Sequence, residues 1–201
     1  MYIPAQFQFK DQQQVIDFMQ HYSFATLVTA KDQLPIATHL PFHIELRDGA
    51  VILSSHFAKA NPQARELVDR PALVVFNEPH AYIAPKNYDK QENVPTWNYI
   101  AVHAYGKASI LHEEIQQLEL MEKMIFTYDQ GYLEQWANLS MTFKLKMLKG
   151  IVAFEITVND LQAQQKLSQN KTENERKKII KDLENSKYST EQDLASYMKH
   201  T

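Results

Sequence analysis

The chain has 201 residues, a formal net charge of −3, 44% hydrophobic residues and 22% charged residues, which suits a globular domain with a full core and excludes a broadly basic nucleic-acid-binding surface. Cysteine is absent, so disulfides, thiolate zinc sites and cysteine nucleophiles are excluded. The only glycines are Gly49, Gly106, Gly131 and Gly150, too far apart for the glycine-rich phosphate loops of dinucleotide-binding and P-loop folds.

Residues 11–21 (DQQQVIDFMQH) place Val15, Ile16, Phe18 and Met19 at helical spacing. SFATLVTA (23–30) is β-branched and aromatic and reads as a strand. KDQLP turns the chain into PIATHLPFHIEL (35–46), which alternates: Thr38, Leu40, Phe42 and Ile44 share one face, Ala37, His39, Pro41 and His43 the other. RDG (47–49) makes the next turn and AVILSSH (50–56) a third strand, an antiparallel meander with connections too short for parallel crossovers.

NPQARELVD (61–69) carries a helix start, Asn61 as cap and Pro62 in the first helical position. PALVVFNE (71–78) is a strand, 84–96 a polar, proline-flanked loop, and WNYIAVHAYGKASIL (97–111) a long strand with Tyr99, Ala101, His103, Tyr105 and Lys107 on one face. A helix over 112–126 has Ile115, Leu118 and Ile125 on one stripe, a second helix fits roughly 133–147, and GIVAFEITV (150–158) is the last strand. From 171 onward the chain is charged and helical in pattern, with Ile179, Ile180 and Leu183 as its apolar face. Short antiparallel strands in this number favour a closed barrel, which removes exposed edges. The expected class is α+β, with a barrel core and peripheral helices.

The N-terminal MYIPAQFQFKDQQQ has no basic end followed by an apolar run, and no stretch approaches a membrane-span length. The expected location is the cytoplasm, with no membrane partner.

SSHFAKAN (54–61) ends a strand with small hydrogen-bonding groups, a histidine and a cation. Two readings fit: ordinary strand-end and cap chemistry, or a seat for a phosphate built from hydroxyls, amides and a helix N-terminus. His39 and His43 share a strand face roughly 13 Å apart by strand rise, too far for one metal ion. No metal site is expected.

MYIP, FATLVT, ATHLPF, HFAKANPQ, PHAYIAPKNY, VPTWNYIAVHAYG, GIVAFEI and KLSQN, in that order, resemble the PaiB-type proteins, FMN-binding negative transcriptional regulators. That family belongs to the flavin split-barrel class, with the pyridoxamine-phosphate oxidase-like proteins. The resemblance runs from residue 1 to about 170. It implies an antiparallel split β-barrel over 1–170, a charged helical tail over 171–201, and a homodimer holding FMN in a groove between subunits. It places the flavin phosphate at Ser55, His56, Lys59 and Asn61, where Asn61 also fits a cap alone, and the flavin ring along His39 and Leu40. Trp97 and Asn98 cover a flavin face or pack a subunit contact; Tyr99, His103 and Tyr105 fit an interface. No catalytic residue is assigned.

Three functions remain open at this level: an FMN-binding regulator, an FMN-dependent oxidoreductase or haem-binding relative on the same fold, and a cofactor-free dimeric interaction module. For the regulator, DNA is a partner that neither the slightly acidic charge nor any visible helix-turn-helix supports. His21, His80 and His200 have no partner spacing and read as structural or terminal residues, and the lysines at 144, 146, 149, 177, 178 and 181 as solvated faces.

Overall fold

The computed structural model of the chain describes residues 1–68 and 70–200. Its first strands follow from two tight turns. Asp32 and Gln33 take φ of 49° and 67°, and Asp48 and Gly49 take 52° and 82°. Positive φ at both central residues is the type I′ arrangement, whose twist matches the strands it joins. β1 (Phe24–Lys31) therefore pairs antiparallel with β2 (Leu34–Pro41), Lys31 opposite Leu34; β3 (His43–Arg47) pairs with β4 (Ala50–Ala58), Arg47 opposite Ala50.

The sequence pattern predicts one strand over 35–46, but the chain breaks at Phe42 into β2 and β3. Pro41 has no N–H for a ladder, and its carbonyl accepts from Ser55 Oγ at 2.7 Å. The Phe42 amide donates to the Ser23 carbonyl at 2.9 Å. The two halves are thus free to pair with different neighbours.

The remaining elements are α1 (Gln12–His21), β5 (Pro71–Phe76), β6 (His80–Ile83), β7 (Thr96–Ile110), α2 (Glu114–Tyr128), α3 (Leu133–Asn138), α4 (Met141–Leu148), β8 (Ile151–Lys166), α5 (Glu173–Glu184) and α6 (Ser189–Lys199). Contacts divide the chain into two compact units. One comprises Met1–Val15, Asn77–Val102 and Gln162–Thr201; the other comprises Ile16–Phe76 and His103–Leu161.

The second unit holds the barrel. Its strands are hydrogen-bonded in the order β2-β1-β5-β7-β8-β4-β3. The ends of that path, β2 and β3, are consecutive halves of one stretch, so the sheet closes on itself as the α+β reading expects. Inside lie Leu27, Phe42, Leu53, Phe57, Phe76, Phe154 and Ile156, all essentially without solvent contact. Phe154 packs 5.0 Å from Phe57 and 6.3 Å from Phe42, ring centre to ring centre. β7 passes β8 at Gly106, where a Cβ would sit 2.3 Å from the Thr157 carbonyl oxygen. α2 covers the outer face of β8 through Leu120 and Met124, which pack with Ala153. The predicted stripe of Ile115, Leu118 and Ile125 is not the buried one, and Ile115 is 64% exposed.

Other departures from the sequence reading are local. Of the helix predicted over 61–69, the described residues form only a 3-10 turn, Pro62–Arg65, and residue 69 lies outside the described residues. The one predicted over 133–147 is two, because the chain is extended at Leu139 and Ser140 restarts it, accepting from the Phe143 amide. β8 runs to Lys166, beyond the predicted 158.

In the first unit β6, which the sequence reading left without structure, pairs with the start of β7, His80 opposite Tyr99. The predicted helical tail is α5 and α6. Thr172 and Glu175 form a capping box at the start of α5, and Ile179 and Leu183 are buried along it. Arg176 donates to the carbonyls of Leu167 at 3.0 Å and Met198 at 2.8 Å, fastening the end of α6.

Candidate functional site

In the barrel unit, the end of β4, the 3-10 turn that follows it, and β2 meet through a network of side-chain amides and hydroxyls. Asn61 Oδ1 accepts from the Gln63 amide at 2.9 Å, so Asn61 does cap the turn; its Nδ2 donates to Thr38 Oγ1 at 3.1 Å. Thr38 in turn donates to Gln63 Oε1 at 2.6 Å. Gln63 Nε2 reaches Thr29 Oγ1 at 3.0 Å and the carbonyls of Ile36 at 3.2 Å and Leu27 at 3.3 Å. Gln63 is completely buried, and its amide ties the turn to β1 and β2 together.

The four residues predicted to seat a phosphate occupy different environments. Ser55 is buried, with its hydroxyl committed to Pro41. His56 stands opposite Ala153 in the β4–β8 register, and strand alternation turns it to the face away from Ser55. Its Nδ1 is buried with no hydrogen-bond partner among the described residues, and burial pushes its pKa down. Asn61 is engaged as described. Lys59 is exposed, and its backbone amide is held by the Gly150 carbonyl at 2.8 Å. Among the described residues neither Lys59 nor Arg65, the last residue of the turn, pairs with a carboxylate; Glu66 instead pairs with Lys31 and Arg70. Arg65 is a candidate that sequence reasoning missed. Its signal, a second cation six positions after Lys59, was hidden inside a presumed helix.

His39 and Leu40 also separate by alternation. Leu40 is buried in the core, while His39 is exposed on the outer face, hydrogen-bonded to Thr26 Oγ1 at 2.9 Å and stacked 6.3 Å from Phe24. Around them the outer face of β2, β1 and β5 is apolar. Val28 lies between Ala37 and Leu73, Thr26 lies between His39 and Val75, and Phe24 is 70% exposed. The opposite outer face is ionic: Glu45 and Glu155 share Arg47, with Lys123 of α2 on Glu45. Burial alone would raise the Glu45 carboxyl, but hydrogen bonds from Lys123, Arg47 and His43 outweigh it and hold the pKa at about 2. His43 is committed to Thr127 at 3.0 Å and Glu45 at 3.3 Å.

Trp97 and Asn98 belong to the first unit. Trp97 is half exposed, 5.6 Å from the His80 ring and 6.1 Å from Tyr82. Asn98 is fully buried, with Nδ2 donating to Ser168 Oγ at 2.9 Å.

FMN presents a phosphate, which needs cations and donors, and a flat ring, which needs an apolar wall with a few polar groups. Lys59 and Arg65 beside the turn, without carboxylate partners among the described residues, and the apolar face around His39 fit these two needs. Residues 1–160 match the family described as "Putative FMN-binding domain". Across 99% of this chain and 97% of the relative, the sequence is 41% identical to the protease synthase and sporulation protein PAI 2 of Bacillus subtilis. An uncharacterized protein of Emericella nidulans is 32% identical over 74% of this chain and 75% of its own. Among solved structures, the FAD and heme binding protein of Mycobacterium smegmatis superposes with a TM-score of 0.64 at 15% identity, covering 79% of this chain and 73% of that one. The flavocytochrome Anf3 of Azotobacter vinelandii gives 0.61 at 15% identity, over 77% and 67%. The antiparallel sheet and these matches agree: this chain belongs to the family described as "Putative FMN-binding domain" and is similar along its length to PAI 2.

Proposed function

We propose that this protein is a homodimeric FMN-binding regulator of PaiB type, with the flavin phosphate at the turn after β4 and the ring against the outer face of β1 and β2. The observation that carries the placement is the pair of cations, Lys59 and Arg65, left without carboxylate partners among the described residues at a turn whose own polar groups are satisfied. Lys59 and Arg65 neutralise the phosphate. Gln63 and Asn61 hold the turn in shape, and His39, fixed by Thr26, offers a ring nitrogen at the edge of an apolar wall. Bound flavin supplies reversible electron transfer; the chain orients it and excludes water from one side.

The homodimer rests on the same outer face, where Phe24, Val28, Leu73 and Val75 form an apolar strip that a second copy would cover. The regulatory role rests on the similarity to PAI 2, named a protease synthase and sporulation protein. On this reading residues 1–170 are the flavin-binding part, 171–201 an appended helical tail, and the protein works in the cytoplasm. Among the described residues no helix is long and apolar enough to cross a membrane. α5 and α6 are joined by a short turn, but α6 carries Glu191 and Asp193 against Lys199, the wrong charge for a recognition helix on DNA. Regulation therefore acts through another partner, not through direct base readout.

The test is FMN titration of the purified protein by flavin fluorescence, with mass by light scattering and a DNA mobility-shift series in parallel. Saturable quenching, a mass of two chains and no salt-dependent DNA shift agree with this reading. Absence of flavin binding contradicts it. A DNA shift that weakens steeply with salt would contradict the indirect mechanism.

A further inference from the structure

The first unit contains a cavity of about 300 Å³, lined by residues from the loop before β7, the start of β7 and the end of β8. Two of its wall residues are lysines. Lys166 Nζ donates to Thr96 Oγ1. Lys171 Nζ donates to Asn93 Oδ1 at 3.2 Å and sits 3.8 Å above the Tyr88 ring. Both partners are neutral oxygens, and among the described residues neither ammonium pairs with a carboxylate. Burial pushes the Lys166 pKa down, the mark of a charge without compensation.

The rest of the wall is neutral and rich in donors. Asn98 and Ser168 satisfy each other, Nδ2 to Oγ at 2.9 Å and Oγ to Oδ1 at 3.2 Å. Tyr88 is 6% exposed, and its hydroxyl oxygen is buried with no hydrogen-bond partner among the described residues. Burial raises its pKa, so it stays an O–H donor. Among the described residues no carboxylate lines the cavity. The acid near Lys171, Glu175, has its oxygens occupied by the amides of Asp89 at 3.0 Å and Thr172 at 3.2 Å.

A buried hydroxyl without a partner costs free energy, and so do two half-buried cations without counter-charge. One kind of ligand relieves both cations: an oxyanion, which accepts from the two ammoniums and neutralises them. Phe7 and Val94 on the same wall leave room for a short apolar body. We infer that this cavity binds a small organic oxyanion of the phosphate-monoester or carboxylate class. Its wall shares no residue with the turn that carries Lys59 and Arg65; Asn98, which the resemblance offers to the flavin or to a subunit contact, lines it but is bonded to Ser168, and the FMN titration below separates the two sites.

The test uses the full chain, with inorganic phosphate and glycerol 3-phosphate as probes at constant ionic strength. Binding is read by calorimetry and by the unfolding temperature, in the wild type and in Lys166→Met, Lys171→Met and Tyr88→Phe. The expected result is saturable binding of at least one probe, weakened about tenfold or more by either lysine substitution and by less in Tyr88→Phe. Without ligand, Lys166→Met should unfold at the wild-type temperature or above it, because a charge without a counter-charge has been removed. FMN titration of Lys166→Met should match the wild type. Tyr88→Phe keeps the ring beneath Lys171 and serves if a lysine variant does not fold. No saturable binding of either probe to the wild type overturns the inference, as does unchanged binding in both lysine variants. Loss of FMN binding in Lys166→Met together with loss of phosphate binding also overturns it, since the cavity would then belong to the flavin.

Discussion

Ser55 Oγ donates to the carbonyl oxygen of Pro41 at 2.7 Å, where β2 gives way to β3. That contact sits at the closing point of the barrel, because the two strands on either side of Pro41 pair with different neighbours. Replacing Ser55 by alanine takes that donor away from the carbonyl. Ser55→Ala should lower stability by about 1 kcal/mol, read as a lower urea midpoint with unchanged slope.

Gln63 should matter more. Its side chain reaches Thr38, Thr29 and the carbonyls of Leu27 and Ile36 from a fully buried position. Gln63→Leu matches its size but strands those partners, and should cost about 2–4 kcal/mol. The turn that carries Lys59 and Arg65 should loosen with it, so FMN affinity should fall in the variant at temperatures where it remains folded. A stable variant with intact FMN affinity would remove Gln63 from the account.

These two side chains also mark how far the sequence could be read. The antiparallel meander, the barrel and most helix positions were legible, because alternation and capping residues are local signals. Val15, Ile16, Phe18 and Met19 are all buried as their spacing predicts. The break at Phe42 was not legible, since alternation continues through it; only the bonds that the Ser23 carbonyl and the Ser55 hydroxyl make to Phe42 and Pro41 reveal it. The helix predicted over 61–69 had a sound start, Asn61 and Pro62, but the long-range bonds of Gln63 hold the chain as a 3-10 turn. Strand alternation places Ser55 and His56, and Leu40 and His39, on opposite faces, which their adjacency in sequence does not show. Arg65, by contrast, needed the turn to be seen.

Gly106 should tolerate no side chain. A Cβ there meets the Thr157 carbonyl oxygen at 2.3 Å and Ile156 Cγ2 at 2.7 Å, and the backbone atom cannot swing aside. Gly106→Ala should force β7 away from β8 and cost about 2–3 kcal/mol, measured by thermal or chemical unfolding. Gly131→Ala, with only the Asp129 side chain nearby at 3.3 Å, is the control and should unfold close to the wild type.

Acid should weaken the barrel through Glu45. Its carboxyl is held at about 2 in the folded chain against an ordinary 4.5. Between those values the unfolded chain binds the proton and the folded chain does not, so stability is fully present above about 4.5 and is lost as pH falls toward 2. The shift corresponds to at most about 3 kcal/mol, and less at high salt because the Arg47 and Lys123 ion pairs are partly open to solvent. Glu45→Gln should flatten the acid limb of a stability–pH profile. An unchanged limb would assign the acid sensitivity elsewhere, first to Glu155, which Arg47 also holds below its ordinary range.

The central claim is that the turn after β4 seats the flavin phosphate. Comparing FMN with riboflavin, which differs by that phosphate alone, tests it most directly. Affinities for both should be measured by fluorescence titration in the wild type and in the Lys59→Ala, Arg65→Ala double variant. The account predicts that the wild type prefers FMN by about tenfold or more, and that the preference collapses in the variant while riboflavin binding persists. Equal affinity for the two flavins in the wild type, or an undiminished FMN preference in the variant, would contradict it.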